Sequence, residues 1–93
     1  MASAVEIADL LSRAGGAHHI FEQTELKGVY DTEWPAWYAD WCVAHGLNRL
    51  LKTQRSSAEL ARLLNDINEQ RKQSSTDLDW AAFTAQELLK RDG

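Results

Sequence analysis

The chain has 93 residues, 44% of them apolar and 26% charged, enough for one domain with a modest core and too ordinary in composition for disorder. Its single cysteine, Cys42, excludes an internal disulfide and fits a reducing compartment. A net charge of −4 argues against a nucleic-acid partner, and no apolar run reaches the length of a membrane span.

The charge is uneven. Residues 1–46 hold two basic and seven acidic groups, and residues 47–93 hold eight basic and seven acidic. The opening MASAVEIADLL carries Glu6 and Asp9 and no basic segment ahead of an apolar one. It does not read as a signal peptide, so the expected location is the cytoplasm.

Four segments read as helices. In the first, Ser3 and Glu6 have the spacing of a capping box. Ile7, Leu10, Leu11, Ala14, His18 and Phe21 then recur at helical spacing, and Lys27-Gly28 is the expected stop. The second follows Asp31 or Thr32 as cap, carries Pro35 in its first turn, and stops at Gly46 with Leu47 beyond. The third opens on a second capping box, Ser56 to Glu59, and shows Leu60, Leu63, Leu64 and Ile67. The fourth follows Thr76 or Asp77 and shows Leu78, Ala82, Ala85 and Leu89. No segment alternates as a strand would.

The chain repeats itself. SAVEIADLL (3–11) aligns with SSAELARLL (56–64), and DTEWPAWYA (31–39) aligns with DLDWAAFTA (77–85). The two offsets are 53 and 46 residues. The difference, about two helical turns, leaves an apolar stripe nearly in phase. The expected architecture is all-α: two similar αα-hairpins, about 3–46 and about 56–91, packed as a four-helix bundle in one domain.

Trp34, Trp37, Tyr38 and Trp41 fall on one face of the second helix, and Ala44 and His45 continue it. Ala36, Ala39 and Val43 make a second apolar flank, with Asp40 and Cys42 between the two. A peripheral helix needs only one such stripe. The second flank points to another partner, and a homodimer burying part of the aromatic face is the expected one. Trp and Tyr suit interfaces because a large apolar body ends in a polar tip. The alternative is that the aromatics form the intrachain core.

His18 and His19 lie in the stretch by which the first hairpin exceeds the second, together with Gly15-Gly16. His18 falls in the apolar stripe with Glu22 one turn on, and His45 lies at the far end of the aromatic face. Neither Glu-x-x-His nor His-x-x-x-His spacing is present, so no metal and no cofactor is expected. A buried His–Glu hydrogen-bonded pair, or a His–Tyr or His–Trp contact, is the simpler reading. Cys42 reads as a packing residue. No phosphate loop or nucleophile elbow is present, so no catalytic residue is assigned. SSAELARLL is not followed by the tight turn that a helix-turn-helix needs.

The combination AHHIFE, a short Gly-containing turn and DTEWPAWYADW resembles a group of small uncharacterised bacterial helical proteins. These share an Ala-His-His or similar pair followed by Asp-x-x-Trp-Pro-x-Trp-Tyr-Ala. The resemblance covers about residues 17–46 and implies a bacterial origin, with no particular activity.

The leading expectation is a non-enzymatic interaction or ligand-binding module. It would use Trp34, Trp37, Tyr38 and Trp41, with His18, Glu22 and His45 as polar groups, and would bind itself, a protein or a small ligand. One alternative is a small metal- or acid–base-dependent enzyme using His18, Glu22 and His45. A second is a regulatory, antitoxin-like protein whose Arg49, Lys52 and Arg55 meet an acidic partner.

Overall fold

The computed structural model describes residues 4–92, so the Ser3 cap lies outside the described residues. Four α-helices and one short 3-10 turn follow in order: α1 (Ala4–Thr24), α2 (Trp34–Ala44), the turn Leu47–Arg49, α3 (Ser57–Lys72) and α4 (Trp80–Lys90). There is no strand among the described residues.

Each helix ends for a local reason. At the end of α1, Lys27 and Gly28 take positive φ angles of 53° and 85°, and the Gly28 amide turns back to the Glu22 carbonyl at 2.8 Å. Gly46 does the same after α2 with φ 95°, which places Leu47 in the core. Ser56 and Glu59 make both bonds of the capping box on α3. The caps of α2 and α4 fall two residues or so later than the sequence suggests. Glu33 is the cap position of α2 and makes no side-chain cap bond, while Asp79 caps α4 by accepting from the Ala82 amide at 2.8 Å.

The two hairpins correspond closely. α2 and α4 have 11 residues each and begin at the equivalent Trp34 and Trp80. α1 has 21 residues against 16 for α3, and the loop before the Trp has nine residues against seven. The extra residues therefore divide between helix and loop. Equivalent positions are buried in both halves, with Ile7 matching Leu60, Leu11 matching Leu64, Ala14 matching Ile67, Ala39 matching Ala85 and Cys42 matching Leu88.

Packing follows the same symmetry. α2 lies chiefly on α3 and α1 chiefly on α4, while the helices within each hairpin touch less. An approximate two-fold axis that exchanges the hairpins accounts for this pattern. Trp34 and Trp80, equivalent by that axis, meet edge to face at 6.1 Å and 82°.

The core side of α2 is made by Ala39 and Cys42, both fully buried. Cys42, which helical spacing sets between the two apolar flanks, points inward because α2 sits close on α3, and small side chains permit that approach. The linker between hairpins is tied down by Asp92, whose carboxylate accepts the Lys52 and Thr53 amides at 2.7 Å each. Asn48 holds the same linker through both the amide and the carbonyl of Arg55.

Glu87 is buried on α4. Its hydrogen bond to Lys90, supported by Gln70 and Arg91, holds its carboxyl below the usual carboxylate range. Such a group stabilises the fold above its unfolded-state pKa, and that stability is lost as pH falls through the folded value. In urea titrations, Glu87→Gln is expected to cost about 2 kcal/mol at pH 7 and to flatten the fall in stability between neutral pH and the acid range. Gly16 is exposed in mid-helix, and a Cβ there would meet nothing within 4 Å. Gly16→Ala is expected to raise stability by about 0.5–1 kcal/mol, seen as a higher melting temperature.

Candidate functional site

The C-terminal end of α1 carries the candidate site, through His18 and Glu22. His18 is matched in α3 by Arg71, and of the two only Glu22 lies in the part by which α1 exceeds α3. The apolar stripe of α1 continues past Ala14 to His18, the last buried residue of that helix. Glu22 stands one turn further on the same face. The loop turned by Lys27 and Gly28 brings Asp31 back over both. Asp31 is itself only 8% exposed.

His18 Nε2 lies 2.8 Å from Asp31 Oδ2. A carboxylate only accepts, so the Nε2–H donates to Asp31 and the tautomer follows from that bond. The second Asp31 oxygen accepts the Glu33 amide at 2.9 Å, which sets the turn into α2. The Asp31 amide donates to Glu22 Oε2 at 3.3 Å. Glu22 Oε1 stands 3.7 Å from His18 Nδ1, beyond hydrogen-bond range. Asp31 thus serves both the imidazole and the start of α2, which is why it is not the cap that its position suggests.

The His18 ring is held between aromatic neighbours, with Trp37 at 4.8 Å, Tyr38 at 4.9 Å and Phe21 at 6.0 Å. Beyond Tyr38 the aromatic cluster crosses the two-fold axis. Tyr38 contacts Trp80 at 5.2 Å and Trp34 at 5.7 Å. A groove of about 380 Å³ opens here. It is lined by Trp34, Tyr38 and Trp80, by His18 and Glu22 of α1, and by Tyr30 and Asn68.

Burial, then the nearby Glu22 and Cys42, push the Tyr38 phenol above its ordinary value. At neutral pH Tyr38 is therefore a neutral hydroxyl that can donate a hydrogen bond into the groove. A Cβ at Gly15 would lie 3.5 Å from that hydroxyl, so α1 passes close to it. Burial pushes the Cys42 thiol up to about 12, which makes it a poor nucleophile.

The residues singled out in the sequence are not all brought together. His18, Glu22, Trp34 and Tyr38 line the groove, whereas Trp37 backs His18 from the side facing Phe21. Trp41 and His45 form a separate stacked pair at 3.7 Å and 13°, with His45 Nδ1 donating to the Trp41 carbonyl at 2.8 Å. His45 is exposed and does not join His18. Sequence reasoning did not assign Asp31, Tyr30, Asn68 or Trp80 to the site. The alignment of Trp80 with Trp34 was the available signal for one of them. Asp31 carried none, because its partner lies 13 residues earlier on another helix face.

Among the described residues no group of three or more His, Cys, Asp and Glu side chains is arranged to hold a metal ion. No helix there is long and apolar enough to cross a membrane. Compared with protein-family models, curated proteins and solved structures, the chain matches none.

Asp31→Asn keeps an oxygen for the Glu33 amide and weakens the bond to His18. It is expected to cost about 1.5–3 kcal/mol in a urea titration, the range for a buried hydrogen bond to a charged group. A loss under about 0.5 kcal/mol, the size of a neutral surface change, would show that the pair contributes little.

Proposed function

We propose that the protein is a small bacterial ligand-binding module whose site is the groove between His18, Glu22, Trp34, Tyr38 and Trp80. The observation that carries this reading is the groove itself, about 380 Å³ left open beside an aromatic cluster and a built polar network. Ligand sites combine apolar walls with a few fixed polar groups, and this volume lies within their usual range. The network at His18 and Asp31 makes the polar side rigid before anything binds, which lowers the cost of binding.

A single cysteine, with no partner for a disulfide, suits a reducing compartment such as the cytoplasm. Self-association is a second reading, favoured by three large apolar side chains on α1 and the following loop. Ile20, Val29 and Tyr30 are 62%, 65% and 70% exposed, which is unusual for groups of this kind when they sit close in sequence.

A fragment library followed by nitrogen-15 and carbon-13 NMR of the whole chain tests the ligand reading. Hits are expected to move Trp34, Trp80 and Tyr38 together. Hits that gather instead at Thr32, Pro35 and Asn65, where a second groove of about 340 Å³ lies between α2 and α3, would contradict it.

A further inference from the structure

We propose that the groove takes an alkylated ammonium group, held by Trp34, Tyr38 and Trp80 and by the carboxylate of Glu22. The proposal rests on the reading of the groove as a ligand site and specifies the chemistry of its ligand.

Charge is the first argument. Glu22 is the one lining residue that carries a formal charge at neutral pH with histidine neutral, and no Lys or Arg lines the groove. The nearest basic group, the His18 imidazole, is already committed to Asp31. Oxygen Oε1 of Glu22 makes no hydrogen bond to His18 at 3.7 Å, so it retains acceptor capacity. An anionic ligand would meet this carboxylate with no Lys or Arg in the lining to offset it. A neutral apolar ligand would cover it without pairing it, which is costly.

The rings are the second argument. The planes of Trp34, Tyr38 and Trp80 stand at 66°, 82° and 88° to one another, with centroids 5.2–6.1 Å apart. All three rings line the groove, and a cation in it within about 6 Å of a ring centroid lies inside cation–π range. The electron-rich faces of Trp and Tyr attract a positive charge, and Trp does so best.

The substituents are the third argument. A bare metal cation of the calcium or magnesium type needs six or more oxygen ligands, which one carboxylate and three rings do not supply. An ammonium carrying alkyl groups is weakly hydrated, and its methyl or methylene surface gains from leaving water. It matches both the carboxylate and the aromatic walls.

The test uses the full 93-residue chain, labelled with nitrogen-15, and follows the four indole N–H signals. The probes are choline and its neutral isostere 3,3-dimethylbutan-1-ol, which has the same shape without the charge. Choline is expected to move the Trp34 and Trp80 signals saturably, with the isostere roughly tenfold weaker. Glu22→Gln is expected to weaken choline by about fivefold while leaving the isostere unchanged. The comparison of the two probes on the unaltered chain does not depend on that variant. Equal binding of the two probes at Trp34 and Trp80 would overturn the cationic class and leave the groove a ligand site. No saturable choline shift, or shifts centred on Trp41, would overturn the proposal while the fragment experiment decides the groove independently.

Discussion

The arrangement depends on one buried hydrogen bond, from His18 Nε2 to Asp31 Oδ2 at 2.8 Å. Both side chains are largely excluded from water, where such a bond is strong and leaving either partner unmade is costly. It joins the end of α1 to the start of α2 across a nine-residue loop. Through Asp31 Oδ1 it also orients the Glu33 amide, and through the Asp31 amide it engages Glu22. Beside it, the longer bond from the Asp31 amide to Glu22 Oε2 at 3.3 Å also ties the loop to α1.

The second hairpin shows what the bundle looks like without this device. Asp77, the counterpart of Asp31, is exposed, and the corresponding loop is closed by Arg71 donating to the Leu78 carbonyl at 3.2 Å. Tyr38 is replaced there by the fully buried Thr84. The two halves therefore share a scaffold and differ at one end. The shared part brings Trp34 and Trp80 together, and the first hairpin sets His18 beside them where the second has Arg71, and adds Glu22 one turn further on. The groove lies where a symmetric feature meets an asymmetric one.

Much of the fold was legible in the sequence, because it rests on local chemistry. The capping box at Ser56 and Glu59, Pro35 in a first turn and the stops at Gly28 and Gly46 depend on neighbours within a few residues. The 3.6-residue period of Ile7, Leu11, Ala14 and His18 marked the buried face of α1. The boundaries of α2 and α4 were less legible, since a cap is decided by which acceptor is free. Asp31 is occupied by His18, and the Thr76 hydroxyl accepts the Leu78 amide instead of capping a helix. The site was half legible. His18 with Glu22 follows from helical spacing, but Asp31 and Asn68 reach the site through the turn of a loop and the packing of α3. The inward side of α2 was legible in part: Ala39 lies on a flank that the sequence marks as apolar, whereas Cys42, between the flanks in the helical period, is drawn inward by close packing on α3.

The most direct measurement is the nitrogen-15 and proton NMR of the three histidine rings. The account predicts that His18 alone carries a proton on Nε2 that exchanges slowly with water and shows proximity to the Asp31 side chain, with exposed His19 as the internal control. A His18 ring proton that exchanges as fast as that of His19 would contradict it.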